Sequence, residues 1–507
     1  MKNPLPPLIE NILPFQPEFR PALPTVHGNV DYRRFEELLK RIDPILQVSG
    51  VESLFAQMSL EDYRACAAAK KVKLDDWMLQ RHQRHSRQAL RCEVLRKLLG
   101  EDFRGMSRRL AECPLFQWFC RIDALDGVKV PGKSVLQTYA HWLEEEKMRQ
   151  IINTLLESAT AEAEDPLGLA EALELEAVWL DTTCVKANIH FPVDWVLLRD
   201  AVRTLMKAVK LIRRHGLRHR MAEPATFLAR INALSMAMSA ARRQADSRRQ
   251  RKKILRQMKQ LTKGVAAHAR RYRGLLDTEW QRTDWTRKQA EQVMRRIDGV
   301  LELLPQAVKQ AHERIIGERP VPNDQKILSL YEPDLHVIVR GKAEAEVEFG
   351  NQLLLAEQRD GFIVDWLLEE EKVSANSGMV KPSLQRIGQA VPKIVLRAVG
   401  TDRGFASEVN SQTLKKLHIF NGICPKDPAD LRRRLQQPRF VAIQKRRAQT
   451  EGRIGIFQNV FLGQPFRAKG FAHRNLSVAW SVLAHNLWVL ARLPTAEEKK
   501  KKLKLAA

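Results

Sequence analysis

The apolar residues of this 507-residue chain follow a helical period over most of its length and a strand-like pattern in only four places. A period of 3.6 residues places one apolar stripe of a helix in a core, whereas a compact apolar run with β-branched residues favours a buried strand. The strand-like runs are interspersed with helical segments, which is typical of a mixed sheet flanked by helices. The expected fold class is therefore α/β, with further parts that are entirely helical.

The N-terminal region, residues 1–170, is expected to be helical and to bind DNA. Its segment 105–143 is typical of a helix-turn-helix-like module, which presents one helix to DNA. Ser134 is the expected N-cap of the last helix, and Lys133 and Gln137 lie on one face of it. Both are candidates for DNA contact, with a basic helical bundle that faces only solvent as the alternative. Helical spacing covers residues 34–46, 74–99 and 134–146.

The chain is strongly basic, and its charge is unevenly distributed. Lys and Arg number 85 against 59 Asp and Glu, a formal net charge of +26, and the stretch from Arg242 to Arg273 alone holds 13 cations and one acid. Such an excess favours a polyanionic partner, nucleic acid before an anionic membrane. We expect this stretch to contact the phosphate backbone, with a merely solvated basic face as the alternative. The candidate contacts are Arg248, Arg249, Arg251, Lys252 and Lys253.

The basic stretch belongs to a second helical block, residues 196–329. Apolar positions in this block repeat at steps of four and three from Leu198, from Ile254 and from Val293. Each seam buries one stripe of a helix, so packed antiparallel helices are expected. Because strand-like runs precede and follow the block, we interpret it as an all-α insertion in the α/β part.

Several classes of protein lack their usual signals here. An uninterrupted apolar run of about 20 residues, which a membrane helix needs, is absent, and prolines interrupt residues 1–14 where a signal peptide would be apolar. The six cysteines include no C-x-x-C, which favours reduced thiols in the cytoplasm. H-E-x-x-H, P-loop and G-x-S-x-G motifs are also absent, which argues against zinc proteolysis, Walker-type NTP hydrolysis and α/β-hydrolase chemistry.

The strand-like runs lie on both sides of the insertion. Residues 347–368 contain two apolar runs joined at Asp360-Gly361, which is the sequence of a β-hairpin turn. The other strands are expected within 172–185, 393–404 and 417–424, and helices are expected over 444–460 and 473–492.

Three acids occupy positions where they can serve chemistry. Asp181 lies within the first strand, Asp402 directly follows the strand 394–399, and Glu451 lies on a helix. A carboxylate in an apolar strand is costly to bury without a partner, and Mg²⁺ is a suitable partner for oxygen ligands. Two such ions can activate a nucleophilic oxygen and stabilise the leaving 3′ oxygen. Each acid alone is weak support, and it is their joint order along the elements that favours one site.

Three short blocks carry these acids: Leu180-Asp181-Thr182-Thr183, Gly400-Thr401-Asp402-Arg403-Gly404-Phe405 and Arg447-x-x-x-Glu451-Gly452-Arg453. In them the chain resembles bacterial insertion-sequence DDE transposases of the loosely classified ISNCY type. The resemblance implies an RNase H-like catalytic core in which Asp181, Asp402 and Glu451 form the metal-binding triad. It also implies that Arg447, one helical turn before Glu451, contacts DNA phosphate. Arg453 of the same block is a further candidate for DNA contact.

The chain departs from the related families at two positions. Those families have a Tyr three residues before the Arg and a Lys seven residues after the Glu, whereas this chain has Gln444 and Gln458. A Gln side chain can still hydrogen-bond DNA, but it contributes no charge. Both glutamines stay candidates for auxiliary DNA contact.

The resemblance implies a DNA transposase that cuts at the terminal inverted repeats of an insertion sequence and joins the 3′-OH ends to target DNA. Two Mg²⁺ ions are implied, with Mn²⁺ as a substitute, and double-stranded DNA is the partner of a homodimer or larger assembly in the bacterial cytoplasm. A catalytically inactive DNA-binding protein derived from such an element and a structure-selective RNase H-like nuclease are the alternatives. The expected parts are the N-terminal region (1–170), the RNase H-like core (171–195 and 330–475), the insertion (196–329) and a C-terminal helix with a Lys-rich tail (476–507).

Overall fold

The computed structural model describes residues 22–122, 127–161, 167–241, 246–342, 345–373, 375–392, 395–463 and 466–506. Within these ranges a six-stranded mixed sheet is flanked by helices, which confirms the predicted α/β class with helical additions. The first residues of the basic stretch (242–245) and of the strand predicted within 393–404 (393–394) lie outside the described residues. The strands are β1 (Ala177–Lys186), β2 (His336–Lys342), β3 (Ala345–Glu357), β4 (Ile363–Leu368), β5 (Ala398–Thr401) and β6 (Phe420–Ile423).

The sheet has the order β2-β3-β1-β5-β6, and β4 pairs with the second half of β3. β3 is antiparallel to β1, β2 and β4, whereas β1, β5 and β6 run parallel to one another. The pairing with β5 uses only the first residues of β1, so β1 continues beyond the carboxyl end of β5. A side chain that follows β5 therefore lies beside the middle of β1.

The predicted hairpin is confirmed by β3 and β4. The amide of Gln358 donates to the carbonyl of Phe362 at 3.0 Å, and Gly361 has a φ of +97°, a conformation that suits glycine. The edge strand β2 is not predicted from the sequence. Only one face of it is buried, because Val337 lies in the core while Val339 is 64% exposed, so its apolar run is short and incomplete.

The N-terminal helices share a hydrophobic core with the sheet instead of enclosing one of their own. The ring of Phe55 lies 5.8 Å from that of Trp480, and the guanidinium of Arg149 stacks 3.9 Å from the ring of Trp366 on β4. The region predicted as a separate DNA-binding part is thus continuous with the α/β part. Its helices are α1 (Val30–Val48), α2 (Val51–Ala69), α3 (Asp76–Leu99), α4 (Phe103–Glu112), α5 (Pro114–Phe119), α6 (Lys133–Tyr139) and α7 (Glu145–Thr160).

The single helix predicted over 134–146 is wrong, because α6 ends at Tyr139 and α7 starts at Glu145. The intervening turn lets the ring of Trp142 stack on Tyr139 at 5.0 Å and pack edge-on against His82 at 5.2 Å. The predicted N-cap is also wrong, because α6 starts one residue earlier and Gly132 occupies its N-cap position.

The helical insertion forms its own hydrophobic core. The predicted seams that start at Leu198, Ile254 and Val293 point into this core, where Leu198 is fully buried and the first residues of the other two seams pack at its margin. The sequence interpretation of packed helices is therefore confirmed. The helices are α8 (Asp194–Arg214), α9 (Pro224–Ala241), α10 (Ser247–Glu279) and α11 (Arg287–Ile315).

The two ends of the insertion are fastened to each other. The side-chain amide of Gln310 donates to Asp194 Oδ1 at 2.8 Å and to the carbonyl of Ile327 at 3.1 Å, and its oxygen accepts from the amide of Ile327 at 2.8 Å. Arg314 pairs with the same Asp194 oxygen at 2.9 Å. The chain therefore returns from the insertion close to the point where it enters.

The last large helix, α16 (Phe471–Leu490), lies in the centre of the main core. Its buried Asn486 bonds both the amide and the carbonyl of Ile363 at 2.9 and 2.8 Å, which fastens it to the start of β4. The predicted boundary at residue 476 falls inside this helix. No helix in the described ranges is long and apolar enough to cross a bilayer. The remaining helices are α12 (Val380–Ala390), α13 (Glu408–Lys416), α14 (Pro428–Arg434), α15 (Pro438–Ile456), which continues as a π-helix (Phe457–Leu462), and α17 (Ala496–Ala506).

Candidate active site

Two of the three predicted acids are positioned by neighbouring parallel strands, Asp181 within β1 and Asp402 directly after β5. Trp179 of β1 pairs with Gly400 of β5, and continuing this register by two residues places Asp402 beside Asp181. Asp181 Oδ1 accepts a hydrogen bond from the amide of Thr182 at 2.7 Å, and Asp402 Oδ1 accepts one from the amide of Gly404 at 2.9 Å. Both carboxylates are thus oriented by the backbone that follows them.

The third acid is supplied by α15, which packs closely on the strands that carry the other two. Its Ile443 lies against Gly400 and Gly422, where an added Cβ atom would approach Ile443 Cγ2 to 2.7 Å at either glycine. The indole of Trp179 donates to the carbonyl of Ile443 at 3.0 Å. The glycines in β5 and β6 therefore allow the close approach that brings Glu451, two turns later, toward the strand-borne acids.

Asp402 and Glu451 both act electrostatically on Asp181. The pKa of Asp181 is raised from 3.8 to about 6, first by burial and then by the negative charges of Asp402 and Glu451. The Arg447 guanidinium and the Thr182 amide act in the opposite direction. A buried carboxylate whose pKa is raised by burial and by neighbouring acids is typical of a functional site.

The three acids offer only carboxylate oxygens as donors, and hard divalent cations prefer such ligands. Within the described ranges, however, no group of three or more His, Cys, Asp or Glu side chains is arranged to hold a metal ion. The side chain of Glu451 is 64% exposed and pairs with Arg447 at 3.3 Å. In this structure Glu451 is therefore directed to Arg447, and the three acids do not form a preassembled metal site.

Arg447 lies beside the acids, as the sequence predicts. Its Nη1 atom donates to Glu451 Oε1, while its Nε atom is buried without a hydrogen-bond partner among the described residues. A buried guanidinium donor without a partner suits an anionic oxygen. Its contact with DNA phosphate stays a prediction.

The two predicted auxiliary glutamines are bound within the fold. The amide of Gln444 donates to the carbonyls of Thr401 and Gly422 at 3.1 and 2.6 Å, which joins α15 to the ends of β5 and β6. The amide of Gln458 donates to Thr183 Oγ1 at 2.6 Å and to the carbonyl of Cys184. In this structure both side chains position α15 and its π-helical continuation, and a role on DNA stays a prediction.

A buried ionic group that sequence reasoning missed also fastens α15. Glu357, at the end of β3, pairs with Arg446 at 3.0 Å and accepts a hydrogen bond from Thr450 Oγ1 at 2.8 Å. Arg446 also donates to the carbonyl of Arg359, and its guanidinium lies 4.8 Å from the ring of Trp179. The helical phase distinguishes Arg446, which faces β3, from Arg447, which faces the acids, but the sequence alone does not mark this difference.

Arg453 belongs to the hairpin side of α15. It donates to the carbonyl of Arg359 at 3.2 Å, lies 3.8 Å from Glu357 and packs on Gly361, and burial lowers its pKa. It is therefore placed on the turn between β3 and β4, and a contact with DNA stays a prediction.

The predicted basic contacts of the helical parts are distributed over other surfaces. Lys133 and Gln137 are exposed on α6. Lys252 of α10 pairs at 2.8 Å with Glu318, which follows α11, and Arg248 of α10 approaches the same carboxylate at 4.0 Å. The remaining candidates on α10 are Arg249, Arg251 and Lys253. Among the described residues, no hydrogen bond or ion pair joins any of these predicted contacts to Asp181, Asp402 or Glu451.

No protein-family model, no curated protein sequence and no solved structure matches this chain.

Proposed function

We propose that the chain is a DDE transposase with an RNase H-like core, in which Asp181, Asp402 and Glu451 are the catalytic acids. The observation that carries the proposal is the arrangement of one acid within a strand, one after a parallel strand and one on the helix packed over both. Burial first, and then the charges of Asp402 and Glu451, raise the pKa of Asp181 to about 6. The chain order of acid-bearing strand, hairpin, strand-end acid, short strand and acid-bearing helix is compatible with such a core.

The three carboxylates would hold two Mg²⁺ ions, with Mn²⁺ as a substitute. When bound, the ions supply the positive charge that activates a nucleophilic oxygen and stabilises the leaving 3′ oxygen in a phosphodiester exchange. Asp181 must lose its proton before it can serve as a ligand, and Arg447 favours this loss because its charge lowers the pKa of Asp181. The guanidinium of the same Arg447, which lies beside Glu451, would bind a non-bridging phosphate oxygen.

The other residues around the acids contribute by positioning Glu451. The Glu357–Arg446 pair and the glutamine contacts hold α15 against the sheet, so that Glu451 is kept near the two aspartates. Phosphodiester exchange is nearly energy-neutral, so the reaction needs no nucleotide hydrolysis, and catalysis depends on positioning and charge stabilisation. The substrates are the inverted repeats at the two ends of the element and a target duplex, which are brought together by a homodimer or larger assembly.

An assay of DNA cleavage and joining tests this proposal, with the DNA that flanks the gene on both sides as the substrate. The full chain with Mg²⁺ should nick at the element ends and join pre-cleaved ends to a target plasmid. Asp402→Asn should reduce both reactions to background while duplex binding stays nearly unchanged, because the substitution removes a ligand charge and keeps the side chain's shape. Glu408→Gln, an exposed acid on α13, is the matched control and should keep full activity.

Three results would contradict the assignment in different ways. Full cleavage by Asp402→Asn would exclude the triad. Cleavage by the wild type without joining of pre-cleaved ends would favour a structure-selective nuclease on the same site. Duplex binding without Mg²⁺-dependent cleavage at the flanking sequences would favour a DNA-binding protein derived from a transposase.

A further inference from the structure

A continuous row of cations follows the outer face of α8, outside the basic stretch of α10. The row steps along the helix by four, four, three and four residues, so its side chains lie on one face and span about 22 Å at 1.5 Å per residue. The row consists of Arg199, Arg203, Lys207, Lys210 and Arg214.

The last four of these cations are exposed and form no ion pair among the described residues. Arg199 pairs with Asp200 at 3.3 Å, and this carboxylate also lines the pocket that Arg203 and Lys207 share. On α10, Glu318, which follows α11, pairs with Lys252 and approaches Arg248, while Arg249, Lys253 and Arg256 are exposed without an ion pair among the described residues. The row on α8 therefore gives the insertion a second cationic face, in addition to that of α10.

The first half of the row lines a concave surface together with three other segments. Arg296 of α11 and His190, from the connection after β1, face Arg203 and Lys207 across a pocket. The exposed ring of Tyr331 forms another wall, and its hydroxyl is held by Thr204 at 2.6 Å. A recessed surface with several cations and an aromatic ring suits a sugar-phosphate backbone better than a flat face does.

This surface is connected directly to the catalytic strand. β1 runs five residues beyond Asp181 to Lys186, about 16 Å at 3.3 Å per residue, and α8 begins at Asp194. Beyond Asp181 the strand has passed the carboxyl end of β5, where Asp402 lies. The row on α8 therefore begins on the side of the sheet toward which the acids are placed.

We propose that the backbone of the duplex DNA bound at the acids continues over this surface, with Arg203, Lys207, Lys210 and Arg214 each bound to phosphate. The proposal rests on the proposed function, since it assigns a path to the DNA on which that site acts. The partner is duplex DNA because an uninterrupted row of unpaired cations matches a regular line of negative charges.

The salt dependence of duplex binding by the full chain tests the proposal. Each lost phosphate contact should reduce the slope of log K against log salt by about 0.9. Arg203→Gln with Lys207→Gln should therefore reduce the slope by about 1.8, and adding Lys210→Gln and Arg214→Gln should reduce it by about 3.6 in total. All four side chains are exposed, so thermal unfolding of the variants should match that of the wild type.

The matched control is Lys415→Gln with Lys416→Gln. These exposed cations end α13, at the edge of the sheet where β6 begins, opposite the edge that carries Asp402. The double control removes the same charge as the double variant and should leave the slope unchanged.

The outcomes separate this proposal from the proposed function. An unchanged slope in the fourfold variant would overturn the α8 path and leave the catalytic acids untouched. Loss of binding to anionic lipid vesicles with an unchanged DNA slope would overturn it in favour of a membrane surface. A wild type that binds no duplex at low salt would overturn the path and the transposase assignment together.

Discussion

Asp181 is a residue whose charge opposes folding. Its pKa in the folded chain, about 6, lies above the ordinary 3.8, so the folded state holds the proton more tightly than the unfolded state does. The free energy of unfolding therefore falls as pH rises from about 4 to about 6 and stays lower above that range. An ionised acid kept at such a cost indicates a role other than stability.

Asp181→Asn is expected to stabilise the protein while it abolishes cleavage. Each pKa unit corresponds to about 1.4 kcal/mol, so the gain in the free energy of unfolding at pH 7.5 should be about 1 to 3 kcal/mol, allowing for solvent screening. At pH 4 the gain should vanish, because Asp181 is then protonated. Urea unfolding at the two pH values measures this, and an equal effect at both would contradict the predicted origin.

Divalent metal should stabilise the folded chain only above the pKa of Asp181. Because the ligand must be deprotonated, the affinity for Mg²⁺ should fall about tenfold for each pH unit below 6. Millimolar Mg²⁺ should therefore raise the melting temperature at pH 8 and leave it unchanged at pH 5, and chelation should reverse the rise. The same rise in Asp402→Asn would show that the ion binds elsewhere.

At the residue scale, the assignment of the three acids from the sequence stays a prediction, and the sequence does not give the partners of the polar side chains around them. The sequence predicts Asp181, Asp402 and Glu451 as one set, and in the structure the charges of Asp402 and Glu451 contribute to the raised pKa of Asp181. Gln444 and Gln458 were predicted to face DNA, whereas their amides bind backbone carbonyls of the sheet. A Gln side chain serves both purposes equally well, so its type carries no information about which partner it has.

The position of α15 is the element-scale feature on which the site depends. Glu357 and Arg446 are both largely buried, so neither has water to replace its partner. Glu357→Gln should lower the free energy of unfolding by about 2 to 4 kcal/mol, because it leaves the Arg446 charge without its carboxylate. It should also lower cleavage activity, since α15 carries Glu451.

Lys445→Gln is the control for this prediction, because Lys445 is the exposed neighbour of Arg446 on the same helix. It should change stability by less than about 0.5 kcal/mol. Denaturant unfolding of both variants gives the comparison. Equal stability of Glu357→Gln and the wild type would mean that the buried pair does not hold α15.

Elements were predictable where their signal is local. The β3–β4 hairpin follows from Asp360-Gly361 between apolar runs, and the helix seams of the insertion follow from their spacing. The helix over 134–146 was predicted as continuous because its break depends on Trp142 packing against His82, a residue about sixty positions earlier. Local periodicity contains no information about such a contact.

At the scale of the whole molecule, the chain has two large hydrophobic cores, one in the insertion and one shared by the N-terminal helices, the sheet and α16. Calorimetry should accordingly resolve two unfolding transitions. Leu205→Ala, in the insertion core, should lower the free energy of unfolding of one transition by about 2 to 5 kcal/mol. The melting temperature of the other transition should stay unchanged. Leu483→Ala, in the main core, should do the reverse.

A single transition shifted equally by both substitutions would mean that the two cores unfold as one unit.

The sequence predicted the insertion but not the union of the N-terminal helices with the sheet. That union depends on contacts such as Phe55 with Trp480, which are separated by most of the chain.

The bonds that join the two ends of the insertion also bear on the order in which the chain folds. Between Asp194 and Ile327 lie 132 residues, yet Gln310 bonds to both of these ends. If the insertion folds first, the strands on either side of it are joined by what amounts to a short connection, and the entropy lost on bringing β1 to β3 becomes that of a small loop. The sheet would then form at the speed of a nearly local pairing, although its central strands are encoded more than 150 residues apart.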